Sequence, residues 1–327
     1  MTPFADTHVR RAAAVTPGLA EDVRVGLGGS GQKALPSKYL YDEAGSALFE
    51  AITFLDAYGL TRADERILNE HAAAIARAAG GAMLVAELGS GSGRKVRRLL
   101  QAMGETGPTT YCPIDISRQA ITWCRAELGR VPSVHFHGIV AEYLAGLRMA
   151  AARRPAGAPL LVLFVGSTIG NFEREPGLRF LHEVRALLRA GDRLLLGTDL
   201  VKPVERLLLA YDDPAGVTAA FNRNMLSRLN RELGADFDLG RFVHEARWNR
   251  DARRVEMHLR STADQTVRVP GAGIEVALRA GETIWTESSH KFLPEEPGVM
   301  GRETGFRPCG QWIDEDWGFA ETMLDAT

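Results

Sequence analysis

Two features of the sequence predict an α/β fold with a doubly wound parallel sheet and a second, smaller α+β module. Between about Thr61 and Leu200, short apolar runs of strand length alternate with segments whose apolar residues recur at helical spacing. After Leu200 that alternation gives way to two helical segments and then a succession of short strands. A chain of 327 residues can bury a sizeable core in one large or two ordinary domains.

The elements follow in order. "TRADERILNEHAAAIARAAG" has Thr61 and Asp64 spaced as a capping box and places Leu68, Ala72, Ile75 and Ala79 on one helical face. "AMLVAELG" is a short buried strand, and "RKVRRLLQAM" sets Val96, Leu99, Leu100 and Met103 together on a helix. "TYCPIDI", "SVHFHGIV", "LLVLFVGS" and "DRLLLGTDL" are the next strands, separated by the helical "SRQAITWCRAEL", "EYLAGLRMAA" and "PGLRFLHEVRALLR". In the second module "VERLLLAYDD" and "VTAAFNRNMLSRLNREL" are helical, whereas "FVHEARWN", "RVEMHLRST", "QTVRVP", "IEVALRA" and "ETIWTESS" are strands joined by turns such as "PGAG" and "AGE". The closing "GQWID" and "WGFAETML" are expected to form a hairpin that completes the first sheet.

Composition narrows the function. With 45% hydrophobic and 24% charged residues the chain is that of a globular protein. Lys plus Arg number 39 and Asp plus Glu 41, and a net charge of −2 gives no footprint for nucleic acid or an anionic membrane. The expected partner is a small molecule. The first two dozen residues lack the apolar run of a signal peptide, and no later run reaches the roughly 20 residues that span a bilayer. Three cysteines, none in a Cys-x-x-Cys pair, suit a reducing cytoplasmic setting. His135 and His137 have no third ligand at metal spacing, so no metal site is expected, and Met257 is read as core.

The first predicted strand ends in "AELGSGSGRK". A glycine turn at the carboxyl end of a strand lets backbone N–H groups approach a ligand. The dinucleotide fingerprint fails because Arg94 stands at its third position, and a Walker A loop fails because Arg94 precedes Lys95. S-adenosylmethionine needs the same glycine approach without a pyrophosphate, and Asp115 in "PIDIS" stands where an acid would take its ribose hydroxyls. A structural turn followed by an unrelated acid is the alternative.

In "ETIWTESSHKF" a strand's two-residue period puts Glu287 and Ser289 on one face. The plain reading of such a pair is a solvated sheet face.

Together with the glycine loop, the blocks "FVGSTIGNF", "LLGTDLVK", "AYDDPAGVTAAFNRN" and "TESSHKF" closely resemble the histidine-specific Nα-methyltransferases of ergothioneine biosynthesis, from about Asp22 to the C-terminus. The resemblance implies trimethylation of L-histidine to hercynine with S-adenosyl-L-methionine. It implies a Rossmann-like class I methyltransferase sheet over residues 61–200 plus 288–327 and a substrate domain over 15–60 plus 201–287, in a cytoplasmic monomer. It assigns the cofactor to Gly89, Lys95 and Asp115, with Ile139 and Val140 beside the adenine. Tyr41, Phe49 and Tyr58 are placed at the reacting centre, where their faces suit a quaternary ammonium product. Tyr58 is assigned to the α-amine, Asn171 and Tyr211 to the carboxylate, and Glu287 with Ser289 to the imidazole ring, whose N–H a carboxylate can take and whose other nitrogen a hydroxyl can serve.

Two positions depart from the family pattern. Ile139 and Val140 replace an Asp-Phe pair and forfeit a side-chain hydrogen bond to adenine, which predicts weaker cofactor binding. "YGLTR" lacks a second tyrosine and a proline after Tyr58, which predicts a looser loop. The alternatives are a same-fold N-methyltransferase for another amino acid or aromatic amine, and a catalytically silent cofactor-binding protein.

Overall fold

A computed structural model describes residue 16 and residues 18–81, 84–105 and 107–327. The N-terminal stretch read above for a leader, and Ala82 and Met83 at the head of the first predicted strand, lie outside them.

Fourteen strands occur in the described chain: β1 (Lys33–Ala34), β2 (Leu84–Leu88), β3 (Thr109–Asp115), β4 (Val134–Phe136), β5 (Ile139–Val140), β6 (Leu160–Phe164), β7 (Arg193–Asp199), β8 (Phe242–Asn249), β9 (Arg254–Ser261), β10 (Gln265–Val269), β11 (Ile274–Leu278), β12 (Thr283–His290), β13 (Phe306–Asp314) and β14 (Phe319–Ala326). The main sheet has the order β13-β14-β7-β6-β2-β3-β4, with β5 also on β3. Its strands from β7 to β4 are parallel, and the closing hairpin adds antiparallel through β14 on β7, as the sequence predicted.

The two-residue period sorts this sheet into two cores. Leu84, Ala86, Leu88, Leu160, Val162 and Phe164 pack on one face, beneath helices Tyr143–Ala151 and Arg174–Leu187. Val85, Leu161, Leu163 and Leu195 pack on the other with Ile67, Leu68, Ile75 and Leu99. Central strands buried on both faces explain why they read as unbroken apolar runs.

The remaining strands form a four-stranded sheet, β1-β12-β9-β8, and the β10–β11 hairpin. Helix Val217–Leu233 packs on β8 and on helix Glu43–Thr53. The two sheets meet where the chain leaves β12: the Phe292 N–H donates to the Asp199 carbonyl at 3.0 Å, and the Val201 N–H donates to the Phe292 carbonyl at 3.0 Å. That junction carries the end of β12 to the carboxyl edge of the parallel sheet, where ligands bind in open α/β folds. Among the described residues no helix is long and apolar enough to cross a membrane.

Three local expectations need correction. The predicted first helix is two, Gly59–Glu70 and Ala72–Ala78, broken at His71. The capping box is not formed, because the helix already begins at Gly59; Asp64 turns inward instead, fully buried beside Lys95 at 3.1 Å. "SVHFHGIV" is two short strands, since the ladder with β3 lapses after the His137 N–H donates to the Tyr111 carbonyl at 2.8 Å and resumes at Ile139.

Candidate active site

A cavity of about 1260 Å³ opens between the glycine loop and the small sheet. Gly89, Gly91, Ser92, Asp115, Ile116, Ala120 and Tyr143 line one end. Gly89 and Gly91 have φ of +74° and +52°, a left-handed backbone that costs glycine little and turns the loop tightly off β2. Asp115, the last residue of β3, accepts from the Gly91 N–H at 3.1 Å and the Ser117 N–H at 2.8 Å, which ties loop and strand together. Burial raises its carboxyl above the ordinary range in spite of these N–H donors.

Aromatic rings fill the middle. Tyr41 lies 5.4 Å from Phe49 and 5.5 Å from Phe221, and Phe49 lies 6.5 Å from Tyr58. Tyr58 in turn stands 6.1 Å from Tyr211. These edge-on contacts hold the rings in place. Burial pushes the hydroxyls of Tyr41, Tyr58 and Tyr211 well above the usual phenol range, so all three stay neutral.

The far wall belongs to β12. Glu287 and Ser289 both line the cavity, as do Thr286 and Ser288, and the ladder slips between Trp285 and Glu287. The turn Thr168–Asn171 reaches β12 because Gly170 has no side chain: a Cβ there would stand 2.9 Å from the His290 carbonyl oxygen. Asn171 consequently gives a 3.4 Å hydrogen bond to Glu287 Oε1. Burial, opposed by Lys291, pushes the Glu287 carboxyl up to about 7. Tyr211 donates to Ser289 Oγ at 2.6 Å.

Most of the predicted residues therefore share one cavity: Tyr41, Phe49, Tyr58, Gly89, Asp115, Asn171, Tyr211, Glu287 and Ser289. Lys95 does not line it. Its ammonium pairs with Asp64 behind Gly166, where an added Cβ would come within 2.7 Å of Nζ. Ile139 and Val140 do not line it either; Ile139 is 3% exposed in the core, and Val140 is 44% exposed on the surface. They pair with Ile114 and Asp115 and so brace the acid from the side.

Sequence reasoning missed several lining residues. Phe221 and Thr218 lie within a block singled out in the sequence, yet helical spacing gives an inward Phe no mark that separates core from cavity. Met257, read as core, both packs in the core and lines the cavity.

A sequence model of the family described as "Histidine-specific methyltransferase, SAM-dependent" matches residues 19–326. The chain belongs to that family. It is 44% identical over 298 residues to the histidine N-alpha-methyltransferase of Mycolicibacterium smegmatis, covering 90% of this chain and 91% of that one. It is 42% identical over 307 residues to the protein of the same name from Mycobacterium tuberculosis, covering 93% and 94%. A third relative, ergothioneine biosynthesis protein 1 of Neurospora crassa, is 30% identical over 286 residues, covering 86% of this chain and 32% of that longer one.

As a family member the chain is an S-adenosylmethionine-dependent methyltransferase. The residues present fit that cofactor. Gly91 has open space where a side chain would project, and the apolar Ile116 and Ala120 flank a carboxylate held by backbone N–H groups. A carboxylate suits a ribose diol, and an apolar wall suits a purine.

Proposed function

We propose that this enzyme methylates the α-amine of L-histidine three times, giving hercynine, the first step of ergothioneine biosynthesis. The observation that carries the reading is the far wall: a carboxylate beside an amide at Glu287 and Asn171, and the Ser289 hydroxyl accepting from Tyr211, face the same cavity as the glycine loop. The family match and the relatives' names support the same substrate. We assign Gly89 and Asp115 to the cofactor, with Lys95, Ile139 and Val140 supporting the loop and the acid from behind. Asn171 takes the carboxylate, Glu287 and Ser289 the ring, and Tyr58 the amine; Tyr211, expected at the carboxylate, spends its O–H on Ser289 and holds that hydroxyl in place.

When bound, S-adenosylmethionine supplies an electrophilic sulfonium methyl. The chain's part is to hold the amine unprotonated and aimed. Placement of this kind is worth roughly 7–11 kcal/mol in well-oriented systems. Neutral Tyr58 and Tyr41 can exchange hydrogen bonds with an amine that loses donors at each round. The rings of Tyr41, Phe49 and Tyr58 then face the growing cation. We assign the cofactor part to residues 61–200 plus 288–327 and the substrate part to 15–60 plus 201–287, of which residues 15, 17, 82, 83 and 106 lie outside the described residues. In support, β2–β7, β13 and β14 fall in the first and β1 and β8–β11 in the second, with β12 crossing between them. The reading extends to a cytoplasmic monomer.

The test is mass spectrometry of the purified protein with S-adenosylmethionine and each proteinogenic amino acid in turn. Trimethylated histidine alone is expected; methylation of a different amino acid instead would refute the assignment of Glu287 and Ser289 to imidazole.

A further inference from the structure

Two residues beyond Ser289, Lys291 is fully buried. Its ammonium has three N–H donors in directions that three acceptors occupy: Asp199 Oδ2 at 2.8 Å, the Tyr211 hydroxyl at 2.9 Å and Ser289 Oγ at 2.9 Å. Asp199 in turn accepts from Trp317 Nε1 at 3.0 Å and pairs with Lys202, and its backbone N–H gives to Ser167 Oγ at 2.9 Å. Lys291 is therefore fixed from behind.

A proton count shows what this does to the two hydroxyls. Each has one O–H and two lone pairs. Lys291 fills one lone pair on each oxygen. The 2.6 Å bond between the oxygens consumes one more lone pair and one O–H. With Tyr211 donating, both lone pairs of Ser289 are filled, and its hydroxyl can meet the cavity only as a donor. Without Lys291, Ser289 could turn a lone pair to the ligand and accept a ring N–H as readily as it gives.

We propose that Lys291, anchored by Asp199, is a positioning residue that makes Ser289 an obligate donor to a ring nitrogen with a free lone pair. The site thereby admits a neutral imidazole and rejects an imidazolium or an apolar ring. A buried donor left without an acceptor disfavours the apolar ring, and the ammonium behind Ser289 disfavours a cation in front of it. The proposal rests on Ser289 being a ring contact.

Calorimetry with S-adenosylhomocysteine present tests it. Lys291→Met is expected to weaken L-histidine at least tenfold and to leave S-adenosylhomocysteine within twofold. In a Ser289→Ala background the same substitution is expected to cost no more than about threefold, because its effect passes through that hydroxyl. A folded Lys291→Met variant that binds histidine within twofold of wild type overturns the proposal, as does an equal loss in both backgrounds. Lys291→Met leaves Asp199 paired with Lys202, so the substitution strands no buried charge. Nitrogen NMR of labelled histidine bound to the unaltered protein needs no variant: one protonated and one unprotonated ring nitrogen are expected, and two protonated nitrogens overturn the proposal. If the wild-type protein binds no histidine, the substrate reading itself fails. If Ser289→Ala binds as well as wild type, the ring contact fails instead.

Discussion

Glu287 should be costly to keep and costly to lose. Its carboxyl is buried and lies near 7 instead of the ordinary 4.5. A raised carboxyl means the folded state holds its proton where the unfolded chain has released it. Below about pH 4.5 both states are protonated and nothing is lost. As pH rises from there to about 7, the unfolded chain gains from ionising and the native state does not, so stability falls and the full penalty stands above pH 7. The difference between 4.5 and about 7 corresponds to about 3 kcal/mol as an upper bound. Glu287→Gln removes that penalty, and its melting temperature should exceed the wild type's at pH 8, with the gap closing towards pH 5. Histidine should meanwhile bind more weakly. An unpaired imidazole N–H costs about 1–3 kcal/mol, or roughly 5- to 150-fold in affinity, with Glu287→Gln at the low end because one acceptor remains and Glu287→Ala at the high end. Thermal melts across pH and calorimetry with S-adenosylhomocysteine read the two effects separately. If Glu287→Ala binds histidine within twofold of wild type, or if Glu287→Gln melts at the wild-type temperature at pH 8, the reasoning is wrong.

Three further predictions follow from the same cavity. Asp115→Asn, which removes a charged acceptor and loosens the Gly91 N–H, should weaken S-adenosylhomocysteine at least tenfold by calorimetry while the histidine wall is unchanged. Tyr58→Phe and Phe49→Leu should shift the products towards mono- and dimethylhistidine, because they thin the hydrogen bonding and the rings around the amine; an unchanged product ratio by mass spectrometry would count against the aromatic account. Gly170→Ala should raise the KM for histidine roughly tenfold or more, since its Cβ would press on the His290 carbonyl and move Asn171; rescue of KM by removing Asn171 as well would contradict this.

Much of this was legible in the sequence because it rests on short-range periodicity. The two-residue period buries Leu84, Ala86 and Leu88 on one face and Val85 on the other, and the sequence brings Glu287 and Ser289 to the cavity on one strand, where Thr286 and Ser288 line it too. The glycine loop and Asp115 follow from strand order alone. What escaped depends on partners far apart in the chain. Asp64 reads as a cap and is a buried acid, because its partner Lys95 lies on another element and the helix starts two residues before Thr61. Ile139 and Val140 stand where a family pattern puts adenine contacts, but pairing with β3 turns one into the core and the other to solvent. Lys291 carries no local mark at all: nothing in "SSHKF" says that its ammonium meets Asp199, some ninety residues earlier.

The buried charges at the two ends of the site differ in balance, and this sets how an amino acid enters. Behind the glycine loop one cation, Lys95, serves Asp64, Glu87 and Glu321. Burial pushes Glu87 up to about 7 and Glu321 well above the carboxylate range, so protons there offset the excess of acids. At the other end Lys291 and Lys202 share the single Asp199. Burial would raise that carboxyl, but the two ammonium groups outweigh it and hold it below the ordinary range. Lys202, lowered by burial to about 8, is still largely charged at neutral pH. While Glu287 keeps its proton, up to about pH 7, one positive charge is therefore left over beside Tyr211, where an amino acid's carboxylate would be favoured and its ammonium repelled. Histamine, which keeps the ring and amine but lacks the carboxylate, should accordingly bind about 10- to 150-fold more weakly than histidine, the range for losing a hydrogen bond to a charged group. Competition calorimetry measures it, and histamine binding within twofold of histidine would show that the excess charge does not orient the substrate.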